Sequence, residues 1–191
     1  MRRRTPEEAK RFLVDSFSDL ETKLWAWVIP VIKDARFHWG YGSSSGEHQH
    51  HCYPGGLAVH TAEVYEGALG MGQTYGADLD VLRIAAVWHD YYKIYEYTRT
   101  NDPEKPVERN QYSKKVGHVV GSWEAWMEHT QIRPVNWSGD HTALVYQVGH
   151  CLLAHHGRKE WGSPVEPQTV EAQILHYADM MSMLWGPGRS T

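Results

Sequence analysis

The sequence predicts an all-α protein, a single helical bundle, on three observations. Apolar residues recur at helical spacing in one stretch after another. No segment shows the strict alternation of a half-buried strand, and no internal repeat is present. The chain also carries helix start and stop signals where the periodic stretches begin and end.

The elements follow in order. Thr5-Pro6-Glu7-Glu8 is a helix start, with Thr5 as N-cap, proline at the first helical position and Glu8 closing a capping box. Leu13, Phe17, Leu20, Leu24 and Val28 continue at helical spacing, which predicts one long amphipathic helix up to about Pro30. GYGSSSGEHQHHCYPGG at 40–56 reads as a loop from its Gly, Ser and Pro content. Apolar periodicity predicts further helices over 57–71, 79–97, 116–130, 139–156 and 167–185. TRTNDPEKPVERNQYSKK at 98–115 has no periodicity and is expected to be a long exposed loop, a kind that usually carries function. GPGRST ends the last helix. The expected division is an N-terminal helix (1–40) packed on a bundle, the core itself (41–185) and a fraying tail (186–191).

Composition narrows the function. A chain of 191 residues suits one domain with a real core, and 41% hydrophobic against 22% charged residues is globular. A net charge of -4 argues against a general polyanion-coating surface. The longest apolar run, LWAWVIPVI at 24–32, is too short for a membrane span and contains proline. The start, MRRRTPEEAKR, lacks the apolar core of a signal peptide. Cys52 and Cys151 make no disulfide framework and no CxxC pair, so a reducing cytoplasm is the expected compartment and a zinc ribbon is excluded.

The outlier is histidine, with 13 in the chain. WHDYYK at 88–93 closes the apolar run VLRIAAV, which puts His89, Asp90 and Lys93 at the end of a buried-looking helix. His60 shares a face with Leu57, Val64 and Ala68. His118 opens a helix with an apolar stripe, His155 and His156 close CLLAHH, and Asp179 lies among Ile174, Leu175 and Met183. Taken singly, each has a plain structural reading. His118 suits a core histidine, Asp90 a helix cap, Lys93 a surface lysine with a buried stem, and the cysteines buried thiols. The set does not: five histidines and two aspartates point inward from five helices. Imidazole with carboxylate suits Mn, Fe, Ni or Zn, and seven such groups exceed what a lone ion needs.

The order His60 … His89-Asp90 … His118 … His155-His156 … Asp179 resembles the HD-domain metal-dependent phosphohydrolases. GGLAVHT (55–61), WHDYYKIYEY (88–97), GHVV (117–120) and HHGRKEWGSPVEPQTVEAQILHYADMM (155–181) are similar to the HD domain of the YhaM-type 3′→5′ exoribonucleases, over roughly 50–185. The resemblance implies an HD-domain bundle holding two divalent ions, Mn or Fe first, with Zn, Ni or Mg as other choices. It implies one ion on His60, His89 and Asp179, the other on His118, His155 and His156, and Asp90 as the bridge. Such a pair activates water near neutral pH and clamps phosphate oxygens. Asp90 and Lys93 are then the catalytic residues, Lys93 stabilising negative charge or protonating the leaving group. His51 is expected to reach the phosphate or leaving group, and Tyr112, Lys114 and Lys115 to stack on a base and neutralise phosphate.

Family members carry an N-terminal OB-fold, whereas the first 40 residues here read as helical, so a strand-holding OB-fold is not expected. The expected activity is cleavage of phosphoester bonds in nucleotides or short single-stranded nucleic acid, with homo-oligomerisation left open. The alternatives are a hydrolase of (d)NTP, (d)NMP or signalling nucleotides and a non-catalytic nucleotide-binding module. The latter has no need of all seven ligands and the lysine.

Overall fold

The computed structural model describes residues 3–18, 22–43, 50–131 and 140–185, and these contain eight α-helices. Helix α1 (Pro6–Ser18) begins with the expected capping box: Thr5 N donates to Glu8 Oε2 at 2.8 Å and Glu8 N to Thr5 Oγ1 at 3.2 Å. Its buried stripe is Ala9, Leu13 and Phe17. The single long helix expected up to Pro30 is corrected here: α1 ends at Ser18, and α2 (Thr22–Ile32) is a separate helix packed against it. Ser18 Oγ bonds back to Asp15 O at 2.8 Å, a side-chain bond of the kind that competes with helix continuation.

Pro30 does not stop α2, which runs two residues further. A proline inside a helix leaves the carbonyl four residues earlier without its donor, here Ala26 O. His129 Nε2 donates to that carbonyl at 3.2 Å. A five-residue helix, α3 (Ala35–Trp39), follows, capped by Asp34 through Arg36 N.

Helices α4 (Gly56–Tyr75) and α5 (Leu79–Trp88) form the centre. The first half of α4 is buried on every side, and α5 buries Val81, Leu82 and the whole run Ile84–Trp88. Helices apolar all round belong inside a bundle. Helix α6 (His118–Thr130) lies on α7 (Asp140–Ala154), and α8 (Val170–Trp185) packs along α4. Trp88 and Trp126 meet at 5.5 Å between α5 and α6, each indole N–H bonding a backbone carbonyl, Trp27 O and Val145 O.

Two expectations change in the middle of the chain. The helix predicted over 79–97 ends at Trp88, and after a turn at Asp90 (φ −112°, ψ 9°) the chain continues as a 3-10 turn, Tyr91–Tyr95. Asp90 thus sits in the sparsely populated bridge region of the backbone, where active-site residues recur. The stretch 98–115 is not wholly irregular either. Strands β1 (Tyr97–Arg99) and β2 (Val107–Arg109) pair antiparallel with Thr98 opposite Glu108. Strands of three residues are too short to show alternation in the sequence. The expected tail at 186–191 and His48 of the HQHH stretch lie outside the described residues.

Candidate metal centre

Five helices deliver the candidate ligands to one place. His60 comes from the second turn of α4, His89 and Asp90 from the end of α5, and His118 from the first position of α6. His155 and His156 come from the end of α7, and Asp179 from α8. All but the partly buried His156 are at least nine-tenths buried. Two groups of ligand atoms form, His60 with His89 and Asp179, and His118 with His155 and His156.

Asp90 stands between them. Its Oδ2 lies 3.1 Å from His60 Nε2 and 3.4 Å from His89 Nε2, while its Oδ1 lies 3.2 Å from His118 Nε2 and 3.7 Å from His155 Nε2. Within the first group His60 Nε2 is 3.1 Å from both His89 Nε2 and Asp179 Oδ1. In the second, His118 Nε2 is 3.2 Å from His156 Nε2. Neighbouring ligands each about 2.1 Å from one ion would stand about 3 Å apart.

The outer ring nitrogens decide the tautomers. His89 Nδ1 donates to Ala86 O at 2.9 Å and His155 Nδ1 to Leu152 O at 2.7 Å. His60 Nδ1 donates to Ser182 Oγ at 2.9 Å, because that hydroxyl gives its own proton to Glu63 Oε2 at 2.7 Å. His118 Nδ1 faces Glu96 Oε2 at 2.9 Å, an ion-pair distance off the line of a good hydrogen bond. Glu96 is in turn gripped by Arg109, with Nη2 2.6 Å from Oε1. In neutral histidines held this way every Nε2 presents a bare lone pair inward. At His60 and His89, whose outer nitrogens are both engaged, two such lone pairs face each other at 3.1 Å, and with His155 Nε2 and Asp90 Oδ1 buried and without hydrogen-bond partners they call for a cation between them. The residues present therefore fit divalent metal.

The electrostatics agree. Burial alone would raise the Asp90 carboxyl, but Lys93 and the surrounding histidines hold it well below the usual carboxylate range. Asp179 is likewise kept ionised against burial by His60. Burial opposes charging His60, yet its bonds to Asp179 and Asp90 win and raise it to about 9. Burial pushes His155 far down and, with His118, takes His156 to about 4, so both remain neutral ligands.

Lys93 is buried in the 3-10 turn, its Nζ 2.6 Å from Asp90 Oδ2 and 2.7 Å from Gly42 O. Burial would lower its pKa, but Asp90 raises it well above the ordinary lysine value. His51, expected at the phosphate, is fully buried behind His60 instead. Its Nε2 is 3.1 Å from Glu63 Oε2, the carboxylate that holds Ser182. Its backbone is left-handed (φ 56°), an uncommon conformation outside glycine. Tyr112, Lys114 and Lys115 are exposed on the turn leading into α6, and no described contact joins them to the seven ligands.

Sequence reasoning missed Glu63, Glu96, Ser182 and His176, whose Nδ1 meets His155 O at 2.8 Å. Two offered a faint signal: Glu63 and Ser182 each lie three residues beyond a ligand on the same helix, His60 and Asp179. Neither cysteine joins either ligand group.

Residues 57–184 match the HD domain family. Over 134 residues the chain is 33% identical to the 3'-5' exoribonuclease YhaM of Geobacillus sp. (strain WCH70), covering 68% of this chain and 38% of that protein. The YhaM proteins of Bacillus subtilis (strain 168) and Bacillus velezensis match at 33% and 32% identity over the same length. The chain spans about two fifths of the length of these curated relatives. No solved structure gives a significant match. With two thirds of its residues in that family match and its His and Asp side chains gathered as described, the chain belongs to the HD-domain metal-dependent phosphohydrolases and is related to YhaM over this region.

Proposed function

We infer that this chain is a dinuclear phosphohydrolase that cleaves phosphoester bonds of short single-stranded nucleic acid from the 3′ end. The observation that carries the reading is Asp90, whose two oxygens face two separate three-ligand groups. His60, His89 and Asp179 would hold one ion, and His118, His155 and His156 the other. When bound, a pair of divalent ions supplies Lewis acidity toward the attacking water and the phosphate oxygens. Mn and Fe suit this mixture of imidazole and carboxylate, as do Zn and Ni.

The chain's own residues do the rest. Asp90 holds the two groups in register. The outer partners Ala86 O, Leu152 O, Ser182 and Glu96 orient the imidazoles of His89, His155, His60 and His118 with a lone pair inward. Lys93 neutralises Asp90 and adds fixed positive charge beside the reacting phosphate. A lysine whose pKa is raised is a poor proton donor at neutral pH, which favours charge stabilisation over leaving-group protonation. Hydrolysis of free nucleotides is the second reading, favoured by the net charge of -4.

Incubating Mn-loaded protein with 3′- and 5′-labelled oligonucleotides and a nucleotide panel tests both. Stepwise shortening from the 3′ end is expected, and release of phosphate from mononucleotides alone selects the second reading. Asp90→Asn should lose most of the bound metal, about two ions per chain in the parent, together with turnover. Full turnover in that variant sinks the dinuclear mechanism.

A further inference from the structure

A cleft of about 560 Å³ opens beside the second ligand group, and none of its side chains belongs to either ligand group. Its back wall begins at Gly157, the residue after His156. Gly157 is left-handed (φ +82°), and a Cβ there would fall 2.5 Å from the His176 ring. That ring, at the foot of the cleft, holds His155 O. Cleft and metal centre therefore share a wall.

The rest of the lining is aromatic and exposed. Trp161 and Tyr177 are each 52% exposed, although both are large and neither serves the core. The Trp161 ring lies 6.0 Å from His176 at 31°, and His176 lies 5.5 Å from Tyr177 at 41°, a tilted ladder of three rings. Arg158 caps Trp161 at 5.0 Å. The charged lining is one cation, Arg158, against Glu160 and Glu166, which is no cradle for phosphate. Flat π-faces with carboxylate acceptors at the rim suit instead a planar heterocycle bearing N–H groups.

We propose that this cleft is a nucleobase subsite, in which the base attached to the reacting phosphate stacks on Trp161 and Tyr177. The proposal rests on the hydrolase reading for the position of the phosphate, but its test does not need turnover. It also gives the turn at 157–163 a purpose, since the 3-10 turn Lys159–Trp161 presents the indole at the cleft.

The test is calorimetric titration of the Mn-loaded protein with adenosine 5′-monophosphate and with ribose 5-phosphate, which lacks the base. Trp161→Ala is expected to weaken the nucleotide about tenfold, the scale of one lost base stack, and to spare ribose 5-phosphate. Trp161→Phe should restore most of the loss. Equal weakening of both ligands, no weakening of the nucleotide, or no binding of it by the parent protein overturns the subsite. Trp161-dependent nucleotide binding without cleavage of any oligonucleotide or free nucleotide rejects the hydrolase reading and leaves the subsite standing.

Discussion

Lys93 occupies a position whose energetics can be stated. Its ammonium is buried against one carboxylate oxygen and one carbonyl, Asp90 Oδ2 and Gly42 O. Removing one partner of such a pair strands the other charge, but here bound metal can compensate Asp90. Lys93→Ala should therefore keep its metal, measured by elemental analysis, and lose about 10²–10³ in kcat. Normal turnover would reduce Lys93 to a structural residue. Glu96 acts one step further out, orienting His118 while Arg109 orients Glu96. Glu96→Gln should weaken metal binding about 10–100-fold, with the loss confined to one of the two ions. Competition against a chelator would read this as one weakened and one unchanged site. The candidate ligands were legible because histidine and aspartate at the ends of apolar runs are rare and costly without partners. Glu96 and Ser182 were not, because Glu and Ser are ordinary surface residues, and Ser182 meets His60 across 122 positions of chain.

At the scale of elements, the sequence shows helices where a long apolar stripe makes period 3.6 visible, and it misses what is short. The β1–β2 pair lacks length for any period, and the α1–α2 break interrupts a stripe that stays in phase across it. Helix α3 carries a pH-dependent contribution of its own. His38 is 7% exposed, its Nε2 donates to Ile32 O at 2.6 Å, and its Nδ1 is buried without a hydrogen-bond partner. Charging the ring would place a second N–H where nothing accepts it, and burial lowers its pKa from 6.5. The folded chain thus refuses a proton that the unfolded chain accepts. This contribution is whole above the unfolded value and is lost as pH falls below it. His38→Gln keeps a donor for Ile32 O and does not titrate. Urea denaturation at about pH 7.5 and about pH 5.5 should show the parent losing stability relative to the variant at the lower pH. A constant difference between the two would mean that the ring charges freely in the fold.

For the whole molecule, charge and length bear on how substrate is held. Affinity for a strand depends on cations that neutralise successive phosphates, and each contributes about −0.7 to the slope of log K against log salt. The segment 98–115 carries Arg99, Lys105, Arg109, Lys114 and Lys115 against Asp102, Glu104 and Glu108, an excess of only two positive charges. The fold diverts two of these cations: Lys105 lies 3.6 Å from Glu108, and Arg109 is committed to Glu96 behind the metal centre. Arg99, Lys114 and Lys115 are left exposed to meet phosphate, on a chain of net charge -4. Three contacts give a slope no steeper than about −2. They also reach only a few nucleotides, so longer strands find no further cations there. We therefore expect kcat/KM of this chain to rise from dinucleotide to a few nucleotides and then level off, with a salt slope of about −2 or shallower throughout. A ladder of 3′-labelled oligonucleotides at several salt concentrations measures both quantities together. A continued rise with length and a slope several units steeper would place a strand-binding surface outside segment 98–115, one that association of copies would be able to supply.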